Sequence, residues 1–139
     1  LTHQEPDILL VNFGGIDVAH QGYWSKYVKA IASADRNVAA LWDHLQSLPA
    51  YRDRTTLFVV PDHGRSADGM GVNGFQHHNG GDEACRRVGM LVLGPETPRG
   101  QVVAEKPVYH VDVAHTAARL LGLTLPATTG TPLQEVAYA

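Results

Sequence analysis

The sequence predicts an α/β fold, a mostly parallel or mixed sheet with helices on both faces, and three observations predict it. Short apolar or β-branched runs recur at 7–13, 55–60 and 88–93, each stopped by Gly or Pro. Two longer segments, 23–48 and 110–121, carry helical spacing. The resulting order of strand, helix, strand, loop, strand, helix lays helices against a sheet.

The first run, Asp-Ile-Leu-Leu-Val-Asn-Phe, ends at Gly14-Gly15 and reads as a buried strand stopping in a tight loop. In 23–48, Tyr27, Ile31, Ala34, Val38, Leu41 and Leu45 recur three and four apart, and Pro49 closes the helix. The second strand ends at Pro61-Asp62-His63-Gly64. Residues 64–84 are rich in Gly, Asp, Asn and His without periodicity, a long loop of the kind that usually carries function. The third strand stops at Gly94-Pro95. In the last helix Val111, Ala114, Ala118 and Leu121 share a face, and Gly122 ends it. No repeat divides the 139 residues, so 1–139 reads as a single domain.

Composition excludes several classes. An apolar content of 44% argues against disorder, and a formal charge of −3 offers no basic field for nucleic acid. No apolar run approaches the ~18 residues of a membrane span. One cysteine, Cys85, allows no internal disulfide. The start at Leu1-Thr2-His3, without an initiator Met, suggests a processed product or a fragment.

The chemistry lies at the strand ends, where such folds gather ligands. Asp17 and His20 follow the first strand across a turn, and Asp62 and His63 follow the second. Carboxylate and imidazole together suit Zn²⁺, Mn²⁺ or similar ions. A fifth ligand could come from His77 or His78. Taken singly, each pair reads as a capped turn and each loop histidine as a surface residue. The conjunction of two strand-end pairs and a loop histidine raises the metal reading. Arg65 is placed to contact a substrate oxyanion or to lie at the surface. Tyr23 and Trp24 suit packing at a helix start. No dinucleotide fingerprint, P-loop or nucleophile elbow is present.

Asn-Phe-Gly-Gly-Ile-Asp-Val-Ala-His-Gln-Gly, the long helix, and Val-Val-Pro-Asp-His-Gly-Arg together resemble the C-terminal half of the alkaline phosphatase superfamily. The type I phosphodiesterase and nucleotide pyrophosphatase branch, with the sulfatases, looks nearest. The resemblance runs from about Asp7 to Leu123. It implies a partial alkaline-phosphatase-like core and a hydrolase of phosphate or sulfate esters acting on a small molecule. It implies two divalent ions, zinc first, with manganese, magnesium or calcium as alternatives. Asp17 and His20 would bind one ion with a loop histidine, for which spacing in similar sequences prefers His78 to His77. Asp62 and His63 would bind the second. The family's Ser or Thr nucleophile and a further metal-binding Asp lie on an earlier strand, expected upstream of Leu1, so the isolated chain is expected to be inactive. Relatives often space the first Asp and His by four, against three here. The resemblance favours a periplasmic or secreted setting. The rival expectation is a non-catalytic metal-binding or structural α/β domain.

Overall fold

The computed structural model describes residues 4–68, 74–78, 81–104, 106–126 and 129–136. The fold is mixed α/β. Its elements are α1 (Gly15–His20), α2 (Trp24–Ser47), β1 (Leu57–Val59), a 3-10 turn at Gly74–Gln76, α3 (Glu83–Arg86), β2 (Leu91–Leu93) and α4 (His110–Leu120). They fall into two compact units, one from Ile8–Arg52 and Val59–Leu91, the other from Leu1–Asp7, Asp53–Phe58 and Val92–Ala139.

The first unit is built on α2. Its predicted stripe is the less exposed side of the helix, with Leu45 buried and Ile31 alone on that stripe exposed. Leu48 adopts an extended conformation and ends the helix one residue before Pro49. Helix α1 packs against α2. Its presence corrects the expectation of a tight loop at Gly14-Gly15 followed by a simple turn. The chain turns helical at Gly15, and the amide of Gly22 closes the end of α1 on the carbonyl of Ala19 at 3.0 Å.

The run at 7–13 forms no strand, which corrects the first strand prediction. Its apolar content satisfies strand propensity, but a strand exists only where a neighbour completes its ladder of hydrogen bonds. Leu10 is 93% exposed, so that run does not reach a packed layer among the described residues. The other two strands form over three residues each and pair as a two-stranded sheet, β1 beside β2. Among the described residues this is the sheet observed, smaller than the sequence predicts.

The second unit is organised by α4. The helix ends as predicted at Gly122, whose φ of 69° suits a residue without a side chain. The amides of Leu123 and Gly122 return to the carbonyls of Ala118 and Arg119, at 2.8 and 2.9 Å, which is a Schellman ending. The buried face differs from the predicted one. Of the predicted face Ala118 is buried, but Val111, Ala114 and Leu121 are exposed, and Asp112 and Thr116 are buried instead. The cause is polar. Asp112 accepts from the amide of Tyr109 at 2.8 Å and from that of Thr131 at 2.8 Å. Thr116, 0% exposed, donates to the carbonyl of Asp112 and accepts from the amide of Leu133 at 2.9 Å. The returning segment brings backbone donors that an apolar helix face would leave unpaired. Leu133 and Val136 then bury their side chains.

Candidate metal centre

All six residues singled out in the sequence lie in the unit built on α2, on three separate pieces of chain. Asp17 and His20 sit one helical turn apart on α1, where an i,i+3 pair shares a face. Asp62, His63 and Arg65 follow β1, and His78 follows the 3-10 turn. One donor atom each from Asp17, His20 and His78 lies within 4.8 Å of the others. The rings of His20 and His78 meet edge to face, 5.1 Å between centroids. His63 stacks on His78, their rings 4.3 Å apart and 10° from parallel. His78 is thus in ring contact with both other imidazoles, and each of those has a carboxylate beside it.

The two Asp-His pairs share one local plan. His20 Nδ1 lies 3.0 Å from the carbonyl oxygen of Gln76, and His63 Nδ1 lies 2.9 Å from that of Gly64. An N–H at Nδ1 donates to each carbonyl, so a neutral ring carries its lone pair on Nε2. That lone pair faces a carboxylate in both cases. His20 Nε2 is 3.3 Å from Asp17 Oδ1, and His63 Nε2 is 3.4 Å from Asp62 Oδ2. Two acceptors at that distance repel unless a proton or a cation lies between them. Ring orientation by a backbone carbonyl is also the usual support of a metal-binding histidine. The residues therefore fit a divalent ion. His20 is 4% exposed, so its position is set by the surrounding protein.

The pieces are held in register by backbone contacts. Gln76 spans two of them, its carbonyl on His20 and its side-chain amide donating to the carbonyl of Gly22 at 2.7 Å. Trp24 packs on Tyr27 and Phe75, with ring centroids 5.5 and 5.0 Å away, as expected of a helix start. The amide of Ser66 donates to the carbonyl of His77 at 2.9 Å, and that of Gly64 to the carbonyl of Cys85 at 2.7 Å. A side chain at Gly64 would collide with the carbonyl of Ala84.

Arg65 is mostly buried, its side chain 11% exposed, with Nη2 3.6 Å from Asp17 Oδ1. Its Nη1 is buried without a hydrogen-bond partner among the described residues. His77 contributes its backbone to the site, and the three-residue donor group contains His78. Cys85 is 2% exposed, packed inside α3 with its sulfur 3.4 Å from Ser66 Oγ. Sequence reasoning missed Gln76, Ser66 and Asp82. A backbone carbonyl such as that of Gln76 leaves no trace in residue type. Asp82 carried one usable signal, an Asp followed by Glu83 at a helix start.

A mixed α/β frame that presents carboxylates and imidazoles as one cluster has the donor chemistry of a metal-using hydrolase. The sulfatase family model matches residues 7–123, and the chain belongs to that family, which lies within the alkaline phosphatase superfamily. The family consists of hydrolases that use metal ions and act on small sulfate esters. Among curated proteins and among solved structures, none matches the chain. Among the described residues, no helix is long and apolar enough to cross a membrane.

Proposed function

We propose that the chain supplies the metal-binding half of a two-metal hydrolase of sulfate or phosphate esters, on an alkaline-phosphatase-like core. Asp17, His20 and His78 hold one ion, and Asp62 and His63 hold the second. Zinc is the first choice, with manganese, magnesium or calcium also suited to the set. The supporting observation is the pair of Nε2 atoms, each facing a carboxylate 3.3–3.4 Å away, on two imidazoles that both contact the ring of His78. Bound divalent ions supply Lewis acidity at the attacking and leaving oxygens of an in-line displacement.

The chain's own side chains do the rest. The carbonyls of Gln76 and Gly64 orient His20 and His63 with Nε2 toward Asp17 and Asp62, where each histidine would hold an ion together with its carboxylate. Arg65 holds Asp17 on one edge and keeps Nη1 for an oxyanion of the ester. A buried donor without a partner costs about 1–3 kcal/mol, which an anionic oxygen would offset. Two divalent ions and a guanidinium against two carboxylates leave a positive centre suited to an anionic ester. None of these six residues is assigned as the nucleophile.

Zinc content and hydrolysis of chromogenic sulfate and phosphate esters, measured for the full-length protein and its Asp62→Ala and His63→Ala variants, test the reading. It expects zinc in the native protein and a loss in both variants. Unchanged zinc and unchanged hydrolysis would remove it. Zinc uptake without turnover would leave a metal-binding domain.

A further inference from the structure

We propose that Ser66 and Asp82 are positioning residues that lock the two histidine-bearing loops of the metal centre together. This rests on the metal reading above. Ser66 makes contacts in both directions. Its amide is bonded to the carbonyl of His77, the residue before His78. Its hydroxyl donates to Asp82 Oδ2 at 2.8 Å. The other carboxylate oxygen, Oδ1, accepts the amide of Cys85 at 2.9 Å and so caps α3. The carbonyl of that same Cys85 receives the amide of Gly64, the residue after His63.

The result is a closed circuit: from His63 through Gly64 to Cys85, across Asp82 to Ser66, and on to His77 and His78. Two oxygens of one carboxylate thereby fix the separation of two histidines whose rings lie 4.3 Å apart. The circuit is sheltered in part, with Asp82 half-buried. Ser66 and Cys85 are buried, and the thiol lies 3.4 Å from the serine oxygen. With its proton on Asp82, that oxygen is free to accept from the thiol. A collision with the Ala84 carbonyl excludes a side chain at Gly64, which is why α3 approaches the loop so closely. Neither Ser66 nor Asp82 belongs to the proposed ligand set, so their effect on the ion passes through the position of His63 and His78.

The experiment is a zinc titration against a competing chelator on the native protein, Ser66→Ala, Asp82→Ala and Asp82→Asn, with melting temperatures of the zinc-free proteins. Loss of an outer support costs a metal site about 10–100-fold in affinity. Ser66→Ala and Asp82→Ala are expected to lose zinc affinity in that range. Asp82→Asn is expected to recover most of it, since its amide oxygen still caps α3 and its NH₂ reaches Ser66. Should Asp82→Ala not fold, Ser66→Ala, which deletes a single hydroxyl, carries the measurement. A purely structural role would lower the melting temperature while leaving zinc affinity native, and that result overturns the proposal. A native protein that takes up no zinc fails the metal reading itself and takes this proposal with it.

Discussion

The imidazoles of His63 and His78 lie face to face, 4.3 Å between centroids and 10° between planes, although 15 positions separate them in the chain. Each belongs to a different proposed ion, so the stack is the point at which the two halves of the centre meet. His78→Ala is expected to lower zinc affinity beyond the ~10–100-fold of an outer-support loss. His77→Ala keeps its backbone bonds and is expected to leave zinc affinity close to native. Chelator competition on the two variants checks the contrast, and equal losses would remove His78 from the ligand set.

Arg65 separates ion binding from ester binding. Arg65→Met removes the guanidinium but no ligand, so zinc content is expected to hold. Hydrolysis, where it is measured, is expected to fall about 10²–10³-fold, the range for losing an oxyanion donor. Arg65→Lys should rescue little, because a single ammonium cannot hold Asp17 and an ester oxygen in one planar fork. Undiminished hydrolysis in Arg65→Met would place the residue outside the site.

Gly64 has no room for a methyl group against the Ala84 carbonyl. Gly64→Ala is expected to destabilise the protein by roughly 1–3 kcal/mol, as overpacking does. Zinc affinity is expected to fall with it, since α3 must move away from the His63 loop. A thermal melt indistinguishable from native would show that the loop relaxes freely.

Thr116 tests the other unit without touching the metal centre. Thr116→Val keeps the shape but leaves the buried amide of Leu133 without its acceptor. The expected cost is about 1–3 kcal/mol in denaturant unfolding, with zinc affinity unchanged. A variant as stable as native would mean that water or another group takes over the bond.

Asp82 predicts an acid dependence. The Cys85 amide, followed by the Ser66 hydroxyl, holds its carboxyl below the ordinary carboxylate value. A folded value below the unfolded one stabilises fully above the unfolded value and is lost as pH falls through the folded one. Melting temperature is therefore expected to decline as the solution is acidified through the carboxylate range. Asp82→Asn, which does not titrate, is expected to show a shallower decline. Parallel profiles for the two proteins would contradict the assignment.

Much of the site was legible in residue order. Asp17 with His20 and Asp62 with His63 were recognisable as candidate ligands because the conjunction of two carboxylate-imidazole pairs suits a cation, although only the second pair follows a strand. The long helix was legible for another reason. Its period of three and four runs through a helix of 24 residues, long enough to outweigh the one exposed position, Ile31. The first strand was not legible, because Ile8 to Val11 satisfy a propensity that only a hydrogen-bonded neighbour can turn into structure.

The sequence by itself determined the helices at Trp24–Ser47 and His110–Leu120, the Gly122 ending and the types of donor available to a metal, since these depend on local spacing and side-chain chemistry. Tertiary structure alone decided how near the donors of Asp17, His20 and His78 lie to one another, where the Arg65 guanidinium lies, and which face of α4 is buried. Those outcomes depend on backbone carbonyls and amides that every residue carries alike, at Gln76, Gly64, Cys85, Thr131 and Leu133. Their partners are set by the path of the chain through space, which residue type does not encode.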